Sequence, residues 1–333
     1  MIQLRVTALA RRIGRNIVQA VLTILAIVVL SFFLLRAAPG DLADVLAGQS
    51  GAATAESVAE IRSRLGLQLP VLTQLANYLT NLSRFNLGVS GKYNTAVSSL
   101  ILERFPNTLL LMGTTLAFAI VTGVLLGVVM ATNVGGWIDK ILSILALVFY
   151  SVPGFWAGLM LTVVFSVKLG WLPSGGIGSI GQQFSGIDGV IDRLRYLVLP
   201  ALSLGLFFVA IYARLTRASM LEVARQDFVR TAAAKGISKS RIAFRHVLRN
   251  ALIPLVTVMG LHIAMLMGGS IVMETIFSWP GLGSLAYDAI FSRDYMVLLG
   301  IFLFSAIFVL FINFVVDLIH VLLDPRIRET RGF

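Results

Sequence analysis

Residues 108–132 read TLLLMGTTLAFAIVTGVLLGVVMAT, a run of 25 residues without a charged side chain. The hydrocarbon core of a bilayer is about 30 Å thick, and roughly 20 apolar residues cross it as an α-helix. A helix is suited to this environment because it pairs its own backbone N–H and C=O groups. The run therefore predicts a helix that spans a membrane.

Five further segments have the same character and lie on both sides of this run. They are residues 16–35, 141–167, 196–213, 250–273 and 295–316, and none contains Asp, Glu, Lys or Arg. Only 13% of the 333 residues are charged, whereas a soluble domain carries roughly 25%. We therefore predict an all-α integral membrane protein with six transmembrane helices.

The distribution of positive charge predicts the orientation of the chain. With both termini on one side of the membrane, that side holds residues 1–15, 133–140, 214–249 and 322–333, which contain 17 of the 27 Lys and Arg residues. Lys and Arg concentrate in cytoplasmic loops, so we predict that both termini are cytoplasmic. This placement also explains much of the net charge of +11. The expected partner of the basic residues is the bilayer and not a nucleic acid, because no aromatic platform accompanies them.

These assignments divide the chain into four regions. Residues 1–36 are predicted to form a cytoplasmic N-terminus and a first transmembrane helix, whose apolar run is longer than that of a cleaved signal peptide. Residues 37–104 are predicted to be extracytoplasmic and to contain short helices. Residues 105–322 hold five further transmembrane helices and a cytoplasmic loop at 218–250, and residues 323–333 form a cytoplasmic tail.

Several catalytic and nucleotide-binding patterns can be weighed against the sequence. No GxxxxGK[ST] phosphate loop is present, so the chain is not expected to bind ATP itself. Gly176, Gly178 and Gly181 match GxGxxG, but they follow a membrane span and not a strand. Ser270 and His262 could suggest a membrane hydrolase, yet eight residues along one helix separate them by about 12 Å. We expect no catalytic residue, no metal site and no resident cofactor, and the absence of cysteine excludes disulfides.

The interiors of the six apolar segments contain no Asp, Glu, Lys or Arg. Secondary transporters and proton pumps normally hold such groups inside the bilayer. The nearest candidates for a translocation path or gate are His262 within the fifth segment, Glu274 at its end and Asp317 at the end of the sixth. An ion-coupled secondary transporter that works alone remains an alternative, and a transporter that takes energy from a cytoplasmic partner fits the sequence better.

Residues 227–254 read DFVRTAAAKGISKSRIAFRHVLRNALIP and hold six Lys or Arg against one Asp. We predict that a helix over residues 216–235 continues the fourth span. Gly236 is placed to end it in a left-handed conformation, and Ser238 can cap a second helix.

The corner between these two helices has the composition of a docking surface. Thr231, Ala232, Ala233 and Ala234 are small enough to let another protein's backbone approach. Phe228, Arg230 and Lys235 border them and add one aromatic anchor and two charges. A loop that serves only the membrane topology does not require this arrangement.

This loop resembles that of the inner-membrane permease subunits of bacterial ABC importers, in the dipeptide, oligopeptide and nickel branch. The general family form is EAAxxxG, and the peptide branch has RTAxxxG followed by RHxxRNALIP. This chain has Arg230, Thr231, Ala232 and Gly236, then RHVLRNALIP at residues 245–254. It departs from the general form by Arg230 in place of Glu, as the peptide branch does.

The resemblance covers nearly the whole chain. Seven further motifs occur in order: LLRAAPGD at 34–41, RLGLQLPV at 64–71, ERFPNTLLL at 103–111, SVPGFWAGL at 151–159, GWLPSGG at 170–176, ETIFSWPGLG at 274–283 and LLDPRIR at 322–328. The resemblance implies the type I ABC importer permease fold in a bacterial inner membrane. It implies a small peptide or related solute as the cargo, with the exact substrate left open.

The same resemblance implies the partners. A second, homologous permease would complete the translocation path, and an extracytoplasmic binding protein would deliver the solute. Two cytoplasmic ATPase subunits would bind ATP and Mg²⁺, and one of them would contact the corner at Phe228, Arg230, Thr231, Ala232, Ala233, Lys235 and Gly236. By this resemblance the chain is a transport subunit and not an enzyme.

Overall fold

The computed structural model describes residues 2–37, 40, 43–45, 54–64, 66–179, 181 and 186–323. Side chains are described from residue 18 onward, apart from those of residues 57, 64, 269, 317 and 320–323. Helices make up most of this part of the chain. In chain order they are α1 (Ile2–Ala37), α2 (Ala55–Arg64), α3 (Val71–Ser83), α4 (Val97–Thr132), α5 (Trp137–Ser151), α6 (Gly154–Lys168), α7 (Ile187–Val223), α8 (Asp227–Ala234), α9 (Lys239–Ala251), α10 (Ile253–Ile276), α11 (Leu282–Phe291) and α12 (Tyr295–Leu323).

Four of the described helices are long and apolar enough to cross a membrane. The spans lie within α1, α4, α7 and α12. Two bent pairs, α5 with α6 and α9 with α10, also meet this test, and the total reaches six when each pair counts as one span. The six apolar segments of the sequence correspond to this higher count.

The third apolar segment, residues 141–167, is two helices and not one. α5 ends at Ser151 and α6 begins at Gly154, with a bend of 102° between them. Pro153 lacks a backbone N–H and precedes the first residue of α6, while Val152 has the extended conformation that a following proline favours. The break therefore follows from the Val152-Pro153 pair.

The predicted helix over residues 216–235 is also broken, and this prediction is wrong. α7 ends at Val223, a turn follows, and α8 starts at Asp227 after an extended Gln226. In a straight helix Val223 and Val229 would point about 120° apart. The turn lets both of them pack on one apolar cluster that also contains Val128 and Val247.

The described residues form two compact units. One contains the residues up to Pro106 together with Gly281–Ile312. Its apolar cluster joins α1 through Val28 and Phe32, α3 through Tyr78, and the first turns of α12 through Leu299 and Leu303. The carboxylate of Asp294, just before α12, accepts a hydrogen bond from the Ser90 hydroxyl at 2.6 Å.

The other unit contains Asn107–Pro280 and the described residues from Asn313 onward. Here α4 and α7 approach closely at two glycines that are four residues apart. A Cβ at Gly123 would lie 2.6 Å from Tyr212 Cβ, and one at Gly127 would lie 2.5 Å from Thr216 Cβ. Small residues four positions apart on one helix face allow such close helix packing.

Candidate functional site

The basic loop folds into a two-helix corner, which we call the elbow (residues 227–251). α8 ends in two hydrogen bonds, from Gly236 N–H to the Ala233 carbonyl and from Ile237 N–H to the Ala232 carbonyl, at 3.0 and 3.3 Å. Gly236 has φ +75°, the left-handed conformation that the sequence predicts. Ser238 precedes α9 as expected, but its side chain makes no capping hydrogen bond.

One side of α8 is exposed and the other packs inside the chain. Phe228 is 38% exposed, and Arg230, Thr231, Ala233, Ala234, Lys235 and Gly236 are all exposed. Ala232 is only 6% exposed. Ala232 faces the interior of its own chain, and the contact of these small residues with a partner stays a prediction.

An apolar cluster holds the elbow against the long helices. Met220 and Val223 of α7 are buried there with Val247 and Ala251 of α9, and Val229 of α8 packs against them. The ion pair between Arg230 and Asp227 contributes little to this attachment, because its charged atoms are 3.7 Å apart and exposed to solvent. The elbow is thus a distinct element that is fixed by apolar burial.

An ion pair that the sequence analysis did not identify lies beside the elbow. Arg217 of α7 donates through Nε and Nη2 to the two carboxylate oxygens of Asp139 on α5, at 2.7 and 2.8 Å. Asp139 is 4% exposed and also accepts the Gly135 N–H at 3.0 Å. This bidentate arrangement is geometrically specific, and it ties α5 to the end of α7 that leads into the elbow.

His262 on α10 is buried in an aromatic environment. Its Nδ1 lies 3.1 Å from the Tyr212 hydroxyl. The Phe208 ring is 4.9 Å from the imidazole, measured between ring centroids. His262 is therefore a paired polar group between α7 and α10.

Glu274 near the end of α10 is 0% exposed. Its Oε1 accepts the Thr108 hydroxyl of α4 at 2.8 Å. Trp279 is equally buried, and its Nε1 donates to the Asn107 carbonyl at 2.9 Å, while Asn107 Nδ2 donates to the Pro280 carbonyl. Glu274 thus belongs to a buried polar junction between α4 and the residues that follow α10.

The structure does not bring the other residues singled out from the sequence together in one site. The side chain of Asp317 lies outside the described residues, although its backbone belongs to α12. The Ser270 hydroxyl donates to the Met267 carbonyl at 3.3 Å, and His262 has Tyr212 as its partner. A Cβ at Gly178 would lie 3.1 Å from a carboxylate oxygen of Asp192 on α7, and no strand precedes this glycine in the described residues. Among the described residues, no group of three His, Cys, Asp or Glu side chains could hold a metal ion.

The chain was compared with models of known protein families. The model described as "Binding-protein-dependent transport system inner membrane component" matches residues 123–329, which is more than half of the chain. The chain belongs to this family. A second model, for the N-terminal region of such membrane components, matches residues 9–112 of this inner membrane component.

Several relatives match this inner membrane component over nearly its whole length. The Di/tripeptide transport system permease protein DppB of Pseudomonas aeruginosa (strain UCBPP-PA14) is 42% identical, over 97% of this chain and 99% of that protein. The Oligopeptide transport system permease protein AppB of Bacillus subtilis (strain 168) is 38% identical, over 96% and 100%. A putative peptide transport system permease protein of Brucella abortus (strain 2308) is 40% identical, over 94% and 98%.

Solved structures resemble this inner membrane component in fold. A structure of the MetNI methionine ABC transporter in inward-facing conformations matches with a TM-score of 0.52 and 19% identity, and covers 68% of this chain and 97% of that one. An amino acid ABC transporter matches with a TM-score of 0.50 and 14% identity, over 67% and 94%. The fold is the all-α type I ABC importer permease fold. These relationships give no support to an ion-coupled carrier.

Proposed function

We propose that the chain is the permease subunit of an ATP-driven importer of short peptides, and that it forms half of the translocation path beside a second, homologous permease. The observation that carries this proposal is the match to the DppB and AppB permeases over nearly the full length of all three chains. Both of those proteins are named for di/tripeptide or oligopeptide transport. An extracytoplasmic binding protein would supply the peptide, as the family description implies.

In this proposal the exposed side of the elbow docks on a cytoplasmic ATPase subunit, which binds ATP and Mg²⁺ in place of this chain. Phe228 offers an exposed aromatic ring beside Thr231 and Ala233, and Lys235 adds a charge at the corner. Aromatic residues, Phe among them, are enriched in protein–protein interfaces. Arg230 and Gly236 complete this surface. Ala232 would act indirectly, by packing α8 against the rest of its own chain.

The elbow would transmit ATPase movement through two attachments. The first is the apolar cluster with Val223 and Val247, and the second is the Asp139–Arg217 pair that joins α7 to α5. A packed apolar contact resists gradual deformation, so a displacement of α8 would be passed on to α7 and α9. The sequence predicts that one helix continues from the fourth span into the elbow. This coupling does not require such a continuous helix.

His262, Glu274 and Asp317 are proposed as residues of the path or its gate. His262 and Glu274 are both buried and paired, with Tyr212 and Thr108 respectively. Because each partner lies on a different helix, a change between two helix arrangements would have to exchange these hydrogen bonds. We also propose that both termini and the elbow face the cytoplasm.

Reconstitution of the complete importer tests the proposal. Proteoliposomes that contain the chain, its second permease, the ATPase subunits and the binding protein should take up a labelled dipeptide or tripeptide only with ATP. The chain alone, given an ion gradient and no ATP, should take up none. Peptide uptake by the chain alone would overturn the proposal in favour of the ion-coupled carrier.

A further inference from the structure

The helix α9 (Lys239–Ala251) has a basic side that the proposed docking through α8 does not use. Arg241, Arg245 and Arg249 recur at every fourth residue, so they share one side of the helix, and all three are exposed. Phe244 beside them is 55% exposed. None of the three arginines forms an ion pair within the described residues. This side of α9 therefore carries three unpaired charges and one exposed aromatic ring.

The opposite side of α9 shows where the helix lies relative to the membrane. Val247 and Ala251 are both buried, and each follows an exposed arginine by two positions, so it points the opposite way. Both belong to the apolar cluster that contains Val128 of α4. Val128 lies four residues before the end of this spanning helix, about 6 Å along its axis. The packed side of α9 is therefore level with the last turn of a membrane span.

The connection from α9 to α10 gives the same level. The uncharged run that continues into α10 starts at residue 250, directly after Arg249, and the two helices meet at a bend of 45°. Arg245 lies about 6 Å along the helix from Arg249, and Arg241 about 12 Å. The headgroup region extends roughly 5–8 Å beyond the hydrocarbon on each side of a bilayer. Arg249 and Arg245 are therefore within reach of lipid phosphates.

We propose that this side of α9 binds the headgroups of anionic phospholipids in the cytoplasmic leaflet. Arg245 and Arg249 contact the phosphates, and the Phe244 ring inserts among the headgroups. A helix with a basic side and an exposed aromatic ring suits such a surface. Residues 228–273 contain no Asp or Glu, so no acidic residue of this stretch opposes the attraction.

Bound lipid would anchor the elbow at the membrane surface while α8 engages its partner. This inference rests on the proposed function only for the cytoplasmic location of the elbow. An acidic protein surface could also match the arginines. The level of Val247 beside the last turn of α4 favours lipid, because that level adjoins the bilayer.

Fluorescence quenching by spin-labelled lipids tests this proposal. Phe244→Cys introduces one cysteine into a chain that has none, and the labelled chain is assembled with its partners in bilayers. Phosphatidylglycerol with a nitroxide at carbon 5 of its acyl chain should quench the label more strongly than phosphatidylcholine with the same nitroxide. A label at Ser238→Cys, at the end of α9 away from the span, should be quenched less. No ATP or peptide is added, so the result does not depend on transport.

Charge variants in the Phe244→Cys chain show whether the arginines cause this preference. Arg245→Gln and Arg249→Gln should each reduce the preference for phosphatidylglycerol about fivefold. Lys239→Gln removes a charge at the far end of the same helix and should change the preference little. All three side chains are exposed, so the unfolding temperature should stay the same.

Three outcomes would overturn the proposal. Quenching by neither lipid would mean that Phe244 does not lie at the membrane. Equal quenching by the two lipids, or a preference that persists in both arginine variants, would mean that the arginines do not select an anionic headgroup. Quenching that disappears when the ATPase subunits are present would mean that a protein covers this side of α9.

Discussion

At the scale of single residues, the contact between α4 and α7 depends on the absence of a side chain at Gly127. A Cβ there would lie 2.5 Å from Thr216 Cβ and 2.6 Å from the Ala213 carbonyl oxygen, closer than real atoms pack. We expect Gly127→Ala to force the helices apart and to lower the free energy of unfolding by about 1–3 kcal/mol. Thermal unfolding of the purified protein in detergent measures this.

Gly113 provides the matched control on the same helix. A Cβ at Gly113 would meet nothing within 4 Å. Gly113→Ala should leave the unfolding temperature unchanged or raise it slightly, since alanine favours a helix over glycine. If both substitutions lowered it equally, close packing at Gly127 would not be the cause.

The Asp139–Arg217 pair makes a second prediction at this scale. Removing one partner leaves the other without its bidentate bonds, so Asp139→Asn and Arg217→Gln should each lower the unfolding temperature. The double variant should be less destabilised than the sum of the two single variants, because both act on one interaction. Additive losses in this double-mutant cycle would show that the two residues act independently.

These two features differ in how far the sequence could reveal them. Gly123 and Gly127 share one helix face because they are four residues apart, so their packing role can be read locally. Asp139 and Arg217 are 78 residues apart, and their contact depends on how α5 meets α7. That meeting is set by tertiary packing, which no local pattern encodes.

At the scale of elements, the elbow shows the same division. The left-handed Gly236 follows from local chemistry and was predictable. The break before α8 was not predictable, because residues 216–235 are a run of good helix formers and favour one continuous helix. Burial of Val223 and Val229 in a common cluster outweighs that preference.

The elbow also offers a test that separates seating from docking. Ala232 is buried against its own chain and Ala233 beside it is exposed. We expect Ala233→Leu to leave the unfolding temperature of the chain unchanged and to reduce ATP-driven peptide uptake strongly. The larger side chain would stand on the exposed face of α8 and obstruct the proposed docking. Ala232→Leu should lower both, because it overfills a packed position. Uptake at the parental rate in the Ala233→Leu importer would count against docking by this face of α8.

At the scale of the whole molecule, six apolar segments were readable because each meets the length that a bilayer requires. The bend of 102° within the third segment was not, since Pro153 permits a break without fixing its angle. The division of the chain into two compact units was also hidden, because residues up to Pro106 join a distant stretch at Gly281–Ile312. Such contacts are set by the packing of helices far apart in sequence.

The orientation of the whole chain rests on its charge distribution and can be measured directly. The sequence contains no cysteine, so a single introduced cysteine reports its own location without background. Ser83 at the end of α3 and Ser238 in the elbow are both exposed. In intact spheroplasts, a membrane-impermeant maleimide should label the Ser83→Cys variant and leave the Ser238→Cys variant unlabelled.

Permeabilised spheroplasts supply the control for this orientation, because both variants should then react. The expected pattern follows from the excess of Lys and Arg around the elbow, which retains such loops on the cytoplasmic side. The opposite pattern would place the elbow outside the cell, where no ATP-hydrolysing subunit could reach it. Labelling of both variants in intact spheroplasts would mean that the two sites share one face, and the six-span topology would then be wrong by an odd number of crossings.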